Sequence, residues 1–265
     1  MIIRLIASDL DGTMLMDDHA SISPVTRQTL CTAIACGIYI IPATGRFYGG
    51  IPESVLKING LRYCIASNGA VVYDILENRR LREALIPKDV VETLLPLLHA
   101  RGIFFELYSK DQSLVLPTLE YPDAAYGRTV VEELPSLLSR CSDTVEKIDI
   151  PKVEPIQRVY LDNVLAQYAN LSPSSSFSGQ VELNAAGVNK GSALAWLCQE
   201  LEVPAQAVMA IGDNCNDVEM LEFAGLSVAM GNSVDSLKMH AHDVTDTVQN
   251  NGMAKAVEKF VLSRI

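Results

Sequence analysis

The sequence has no excess of positive charge. Its 265 residues include 21 lysines and arginines against 32 aspartates and glutamates, which gives a formal net charge of -11. A chain this acidic repels the phosphates of nucleic acids and anionic lipids, so neither is expected as a partner. A small anionic substrate would need local cations at its binding site.

The sequence also lacks paired cysteines and long hydrophobic runs. The six cysteines are scattered, with no CxxC pair and no Cys/His array at zinc-site spacing, and are typical of reduced thiols. No stretch approaches the roughly 18 apolar residues of a membrane-spanning helix. The largely apolar stretch over residues 1–8 is too short for the hydrophobic region of a signal peptide. We therefore expect a cytoplasmic protein, and the sequence leaves its oligomeric state open.

Both ends of the sequence repeat an order of strand, turn and helix. Strands are predicted over residues 2–7, 38–41, 63–66, 207–211 and 226–230. Helices are predicted over residues 24–36, 190–201 and 217–224. The first helix has Ser23 as its N-cap, Pro24 at its first position and Gly37 just past its end. This alternation predicts an α/β fold built on a Rossmann-like, doubly wound parallel sheet.

The middle of the chain has a different pattern, with strands that follow one another closely. Helices are predicted over residues 87–101 and 130–140, and strands over residues 103–108, 113–116, 145–150 and 156–161. Few crossover helices separate these strands, which indicates an α+β domain. We therefore expect residues 83–185 to be inserted into a core formed by residues 1–82 and 186–265.

Two acidic residues follow the first predicted strand. Asp9 and Asp11 are two positions apart, so in extended backbone their side chains point the same way, while Leu10 points into the core and offers its backbone. Ligands of open α/β sheets bind beyond the carboxyl ends of the strands. On its own, this segment fits an inert Asx turn equally well. It does not fit an EF-hand calcium loop, because a strand precedes it and Thr13 and Met14 occupy the fifth and sixth loop positions.

Polar residues also follow the second predicted strand and begin a later helix. Thr44 and Gly45 can donate a hydroxyl and a backbone N–H to phosphate oxygens, although Thr44 could simply cap a helix. Lys190 begins a helix, where free N–H groups and a positive charge favour an anion. A single lysine at a helix start is more often solvated.

The segment GDNCND at residues 212–217 follows the strand over residues 207–211. It adds the carboxylates of Asp213 and Asp217 and the amide of Asn216 to the same sheet edge as Asp9 and Asp11. Acids gathered at one edge repel each other unless a cation neutralises them. Oxygen ligands of this kind suit Mg²⁺, which is the expected cofactor.

Taken together, these motifs resemble the haloacid dehalogenase superfamily, and within it the Cof-type phosphatases, which carry a large α/β cap of the C2 type. The resemblance rests on DLDGT at residues 9–13, ATGR at 43–46, SNGA at 67–70, VNKG at 188–191, GDNCND at 212–217, SVAMGN at 227–232 and NNGMAKAVEKF at 250–260. It covers nearly the whole core, and residues 83–185 match the cap in position and length. Cys215 stands where the family more often has a glutamate or an aromatic residue, which we interpret as a difference in local packing.

The resemblance implies hydrolysis of small phosphomonoesters through an aspartyl-phosphate on Asp9, with Asp11 as the general acid/base. The residues expected to hold the phosphate are Leu10, Thr44, Gly45, Lys190 and Asn216. The residues expected to bind Mg²⁺ are Asp9 and Asp213, together with a backbone carbonyl at Leu10 or Asp11, while Asp217 orients Lys190 or a metal-bound water.

Two other functions use the same motifs. A phosphomutase would pass phosphate between positions of a sugar through the same aspartate. A regulator that only binds a phosphorylated ligand is disfavoured, because Asp9 and Asp11 are both present. The expected partner is a small phosphorylated metabolite, and sugar phosphates, flavin mononucleotide and pyridoxal phosphate all remain open.

Overall fold

The computed structural model describes residues 2–118, 127–175 and 179–264. The strands are β1 (Leu5–Ser8), β2 (Tyr39–Pro42), β3 (Tyr63–Ala66), β4 (Val71–Asp74), β5 (Arg79–Glu83), β6 (Glu106–Ser109), β7 (Gln112–Val115), β8 (Arg128–Val130), β9 (Val145–Ile150), β10 (Leu171–Ser174), β11 (Val181–Ala185), β12 (Val208–Gly212), β13 (Leu226–Ala229) and β14 (Asp243–Val244). The helices are α1 (Pro24–Ala35), α2 (Glu53–Leu56), α3 (Lys88–Ala100), α4 (Leu134–Cys141), α5 (Pro155–Leu165), α6 (Lys190–Glu200), α7 (Val218–Phe223), α8 (Asp235–Lys238) and α9 (Gly252–Phe260). None of the helices in these ranges is both long enough and apolar enough to cross a membrane.

The chain divides into two compact units. The first unit consists of Met1–Gly45, Ile51–Arg82 and Asn189–Ile265, and the second unit of Arg46–Gly50 and Glu83–Val188. Compared with the division predicted from the sequence, the second unit also includes the short segment that follows Gly45 and residues 186–188.

The first unit is built on a five-stranded parallel sheet with the order β14–β13–β12–β1–β2. The chain leaves β1 towards β2 on one side and later returns to β12 on the other, so the strand order reverses at β1. Strands β1 and β12 are buried along their whole length, as in parallel sheets covered on both faces. The predicted doubly wound parallel sheet is therefore confirmed, and its switch point, where ligands of such folds bind, lies at β1.

Strand β3 does not continue this parallel sheet, although the alternating pattern suggested that it would. It belongs to a three-stranded sheet with the order β3–β4–β5 and runs antiparallel to β4. An isolated parallel bridge between Ala43 and Ile65 links it to the residue after β2. The end of β3 therefore still lies beside the end of β2.

The second unit is built on a six-stranded sheet with the order β10–β11–β9–β6–β7–β8. Neighbouring strands of this sheet run antiparallel, except that β7 and β8 run parallel. Alternate residues such as Leu107, Ile148 and Leu183 are fully buried in a hydrophobic core with residues of α3, α4 and α5. This is the α+β arrangement expected for the middle of the chain.

One predicted strand of the second unit is wrong. Residues 156–161 belong to helix α5, and the side chain of Ile156 is 88% exposed rather than buried in a sheet. Pro155 lies in the first turn, where its fixed φ suits a helix. The side chain of Gln157 accepts a hydrogen bond from the backbone N–H of Glu154 at 3.2 Å, as in a capping box. These start signals outweigh the β propensity of the apolar residues that follow them.

A predicted helix of the second unit begins later than expected. Residues 130–140 were expected to be helical throughout, but Val130 ends strand β8 and helix α4 starts at Leu134. Val130 lies beside Val115 of β7 in a parallel pair, so sheet pairing decides its conformation.

Candidate active site

Asp9 is the first residue after β1 and its side chain is buried. The backbone N–H of Asp9 donates to the carbonyl of Ile211 in β12 at 3.0 Å. Lys190, the first residue of α6, donates from Nζ to Oδ1 of Asp9 at 2.5 Å and to Oδ1 of Asp217 at 2.6 Å. Its side chain is 0% exposed. A fully buried lysine thus joins the carboxylates that follow β1 and β12.

Asp217 uses both of its carboxylate oxygens within the protein. Oδ1 accepts from Lys190, and Oδ2 accepts from the backbone N–H groups of Asp213 and Asn214 at 3.0 and 3.1 Å. Asp217 therefore holds both the lysine and the loop that carries Asp213.

The loop after β1 is fitted closely to Asp213. Thr13 donates from its hydroxyl to Oδ1 of Asp213 at 3.1 Å. Gly12 has a φ of +80°, and a Cβ there would lie 2.5 Å from Oδ2 of Asp213. Only glycine allows this approach without strain. Asn232 fixes the same loop, because its amide nitrogen donates to the carbonyl of Gly12 at 2.8 Å. Sequence reasoning gave Asn232 no role, although it lies in the SVAMGN motif.

The cluster carries more negative than positive charge. Carboxylate oxygens of Asp9, Asp213 and Asp217 lie within 4.8 Å of one another, and the ammonium of Lys190 contacts two of these residues, Asp9 and Asp217. Burial raises the pKa of Asp9 well above its usual value; Lys190 opposes this shift, and the other two carboxylates add to it. Burial, and then the charge of Asp217, raise the pKa of Asp213 to about 6. Burial alone would lower the pKa of Lys190, but the contacts with Asp217 and Asp9 outweigh it and raise that pKa.

The donor set fits a hard divalent cation. Asp9 and Asp213 offer carboxylate oxygens at the switch point of the sheet, where burial and then the neighbouring carboxylates raise the pKa of both groups. The carbonyl of Leu10 accepts from the N–H groups of Met14 and Leu15 at 3.0 and 2.8 Å, so it is directed into its own loop. The sequence offered the backbone carbonyls of Leu10 and Asp11 as possible ligands of the cation. Because the carbonyl of Leu10 is already engaged, that of Asp11 is the better candidate.

The carboxylate of Asp11 lies apart from the acidic cluster. Its Oδ1 is 2.8 Å from Nδ1 of His19, and the Asp11 side chain is 29% exposed. His19 adopts a left-handed φ of 54°, which turns the chain back towards Asp11. The sequence carried no motif that singled out His19.

The other predicted phosphate-binding residues lie on neighbouring loops of the first unit. Thr44 is the second residue after β2 and is buried, and its backbone N–H donates to the carbonyl of Ile65 at 2.9 Å. Gly45 follows it in the chain. The N–H of Asn68 donates to the carbonyl of Thr44 at 3.0 Å, and Nδ2 of Asn216 donates to Oδ1 of Asn68 at 3.3 Å. These bonds join the loops that follow β2, β3 and β12.

Cys215 lies outside this network of carboxylates. All six cysteines have free thiols, and Cys215 is exposed, with its sulfur 3.6 Å from the hydroxyl of Ser236. These contacts agree with the interpretation of Cys215 as a difference in local packing.

The second unit has a buried charged cluster of its own. Glu106, Asp149 and Glu182 lie side by side across β6, β9 and β11, on the face of the sheet opposite Leu107, Ile148 and Leu183. Lys147 contacts Glu182 at 2.5 Å, and its ammonium lies 4.4 Å from the centre of the Tyr108 ring. Burial raises the pKa of Asp149 to about 6, against the opposing charge of Lys147.

Comparison with known proteins agrees with the geometry of the first unit. A family model for haloacid dehalogenase-like hydrolases matches residues 6–257. The 5-amino-6-(5-phospho-D-ribitylamino)uracil phosphatase YcsE of Bacillus subtilis is 31% identical over 260 residues, which cover 98% of this chain and 96% of that protein. Phosphatase YwpJ of the same organism is 27% identical over 291 residues, which cover 97% of this chain and 100% of that protein.

The fold agrees as well. BT1666 of Bacteroides thetaiotaomicron, described among the phosphatases of this superfamily, has a TM-score of 0.84 and 25% identity, and the match covers 98% of this chain and 95% of that one. The family model spans nearly the whole chain, and the acidic cluster lies where that fold binds its ligands. The chain therefore belongs to the haloacid dehalogenase-like hydrolases, in their Cof-type branch, and is a phosphatase.

Proposed function

We propose that this phosphatase hydrolyses small phosphomonoesters with the help of Mg²⁺ and through a covalent phosphate on Asp9. The observation that carries the proposal is the buried contact of Lys190 with Asp9, next to Asp213 at the switch point of the sheet. A lysine that is 0% exposed is stable only with charged partners. Here the partner is the carboxylate of Asp9, which directly follows the buried strand β1.

In the first step, Oδ of Asp9 attacks the phosphorus atom. An O–P bond forms to Asp9 while the ester O–P bond breaks, and the leaving oxygen takes a proton from Asp11. Lys190 lowers the charge repulsion between the carboxylate and the phosphate, and the hydroxyl of Thr44 and the backbone N–H of Gly45 donate to the phosphoryl oxygens. Phosphoryl transfer depends mainly on such positioning and charge stabilisation.

In the second step, water releases the phosphate. Asp11 takes a proton from the water, which attacks phosphorus and breaks the O–P bond to Asp9. For both proton transfers Asp11 must turn away from His19, which its carboxylate contacts at 2.8 Å. The Asp11 side chain is partly exposed, so this rotation is not blocked by core packing.

Asp9 and Asp213 would hold Mg²⁺ together with the backbone carbonyl of residue 11. Bound there, the cation supplies positive charge to the phosphoryl oxygens and offsets the repulsion between the carboxylates. Asp217 then keeps Lys190 and the Asp213 loop in position, because its two oxygens already accept from them.

We further propose that the second unit selects the organic part of the substrate. Its row of Glu106, Asp149 and Glu182, with Lys147 beside them, presents acceptors and a donor on one sheet face. Such a combination of several acceptors with one donor suits a hydroxyl-rich group, as in a sugar or a phosphorylated cofactor. The relative YcsE is named for a substrate with a phosphorylated ribityl chain, which supports this class.

The test of the reaction separates the two aspartates. Asp9→Asn removes the nucleophile at nearly constant shape, so release of inorganic phosphate should fall to background. Asp11→Asn keeps the nucleophile but removes the acid/base, which is typically worth about 10² to 10⁴ in rate. With an activated ester, whose leaving group needs little protonation, the Asp11→Asn protein should accumulate phosphate on Asp9, visible as a mass gain after acid quenching.

Asp235→Asn is the matched control, because the side chain of Asp235 is 99% exposed on helix α8 of the first unit. It should retain full activity. Turnover by Asp9→Asn, a mass gain on another residue, or full activity after removal of divalent cations would each contradict the mechanism. An isomeric phosphate ester as product, instead of inorganic phosphate, would point to a phosphomutase.

A further inference from the structure

The turn after β3 touches the neighbouring loops of the first unit at several points. It consists of Ser67–Gly69 and forms one short 3₁₀ turn. The N–H of Asn68 donates to the carbonyl of Thr44 at 3.0 Å, and its Oδ1 accepts from Nδ2 of Asn216 at 3.3 Å. A Cβ on Gly69 would lie 2.2 Å from the carbonyl oxygen of Asn189, the residue before Lys190. The turn is therefore packed against three of the elements that carry proposed phosphate-binding residues: the loops of Thr44 and Asn216 and the start of the helix of Lys190.

The backbone of this turn is held in an unusual conformation. Ser67 and Asn68 have left-handed φ values of 52° and 55°, and Gly69 follows at 102°. Two successive non-glycine residues in this region are uncommon, and such strain persists only where the surrounding structure fixes it, often at functional sites. The fixed turn directs the Asn68 side chain towards Asn216.

The Asn68 amide is only partly satisfied within the protein. The residue is 4% exposed, and its Oδ1 accepts from Asn216. Within residues 2–118, 127–175 and 179–264, its buried Nδ2 has no hydrogen-bond partner. Buried polar groups nearly always have a partner, and an exception requires an explanation.

We infer that Nδ2 of Asn68 binds a phosphoryl oxygen of the substrate. The donor is left over on a residue whose backbone N–H donates to the carbonyl of Thr44 and whose side-chain Oδ1 accepts from the amide of Asn216, and both of those residues are proposed to hold phosphate. A tetrahedral oxyanion supplies the missing acceptor, and the buried setting strengthens the bond. This inference rests on the proposed function, because the oxyanion is the group that is transferred there.

The role differs from that of Asn216 and Thr44 in one respect. Asn68 contacts both of them, so it fixes the spacing of the other donors while giving one N–H of its own. Charge on the phosphoryl oxygens is redistributed as the transfer proceeds, and a preorganised donor aimed at that charge costs no rearrangement during the reaction. Loss of Nδ2 should therefore weaken binding of both the ground state and analogues of the transition state.

The experiment compares two substitutions at position 68. Asn68→Asp keeps the shape, tolerates the left-handed φ and retains the acceptor for Asn216, but replaces the donor with an oxygen. Asn68→Gly adopts the same φ without strain and removes the whole side chain. Asn78→Gly is the control, because Asn78 is an exposed asparagine of the first unit with a φ of 49°.

The measurements are hydrolysis of p-nitrophenyl phosphate and binding of inorganic phosphate and orthovanadate, each with Mg²⁺. Loss of one such donor typically lowers kcat about 10² to 10³-fold, so both variants at position 68 should lose activity and bind vanadate at least about tenfold more weakly. Circular dichroism verifies that each variant is folded. The Asn78→Gly protein should match the wild type.

The results separate this inference from the proposed function. If the wild type hydrolyses the ester but Asn68→Asp binds phosphate and vanadate as well as the wild type does, Asn68 only positions Asn216 and the inference is wrong. If the wild type binds phosphate without hydrolysing the ester, the proposed reaction is wrong, and the phosphate affinities still decide the role of Asn68. If the wild type does neither, both fail.

Discussion

Replacing Lys190 with methionine tests the central feature of the site. Methionine has nearly the same length but no charge, so it fills the space of the lysine stem. It removes the partner of the Asp9 and Asp217 oxygens that Nζ contacts at 2.5 and 2.6 Å. The carboxylates of Asp9 and Asp217 then lose the ammonium group that they contact.

The expected cost is large at neutral pH. Breaking a buried ion pair by removing one partner typically destabilises a protein by about 3–5 kcal/mol. The cost should decrease in acid, because burial raises the pKa of Asp9 and Asp213, the latter to about 6. A carboxyl group whose pKa is higher in the folded state binds its proton more tightly there. Its contribution to stability is therefore largest at low pH and is lost as the pH rises through the folded pKa.

Urea denaturation without divalent cations measures this effect. The free energy of unfolding of Lys190→Met and of the wild type should be compared at pH 5 and pH 7.5, with the larger difference at pH 7.5. Lys57→Met is the matched control in the same unit, because Lys57 is 72% exposed and contacts Glu53 at the surface. That control should have little effect at either pH.

Two results would refute this reasoning. A loss of stability below about 1 kcal/mol at pH 7.5 would mean that the lysine contributes no more than a surface ion pair does. An equal loss of unfolding free energy at pH 5 and pH 7.5 would mean that protonation of the buried carboxylates does not compensate for the missing charge of Lys190. Either result would remove the argument that the cluster requires a cation.

Two further predictions concern the cation and the second unit. Saturating Mg²⁺ should raise the Tm more at pH 7.5 than at pH 5, because the raised pKa of Asp213, about 6, lets a proton occupy the site in acid. Asp213→Asn should lose most of this shift, and an equal Mg²⁺ shift at both pH values would count against the site. Lys147→Met, which leaves Glu182 without its contact at 2.5 Å, should change the ranking of phosphorylated metabolites but spare hydrolysis of p-nitrophenyl phosphate. Lys152→Met, at a 64% exposed lysine of the same unit, is its control, and an unchanged ranking in both variants would show that this cluster does not select the substrate.

The strand-end motifs could be located from the sequence because parallel strands impose a simple geometry. Residues that follow β1, β2 and β12 must come to one edge of the sheet, whatever the loops between them do. The positions of Asp9, Thr44 and Asp213 followed from this rule alone. The second unit lacks such a rule, because most of its strands pair antiparallel and their ends do not all meet at one edge of the sheet. In that unit, residues 156–161 were predicted to be a strand but belong to helix α5.

Side-chain direction within the loops could not be predicted in the same way. Two residues that are two positions apart in an extended strand place their side chains on one face, but Asp11 lies beyond the end of β1, directly before the turn that Gly12 begins with a φ of +80°. The carboxylate of Asp11 contacts the ring of His19, whose own backbone has a left-handed φ of 54°. Such a contact depends on turn geometry over eight residues, for which the sequence has no periodic signal.

Lys190 illustrates why the motifs had to be interpreted together. A lysine that begins a helix is usually solvated, yet this one is 0% exposed. The difference lies in Asp9 and Asp217, which are 181 and 27 positions away in the chain. A buried ammonium needs partners of opposite charge, so its burial is decided by distant residues and not by its own helix. The local sequence around Lys190 therefore predicts a solvated lysine. Its burial can be predicted only from the motifs that gather at one edge of the sheet and bring Asp9 and Asp217 to it.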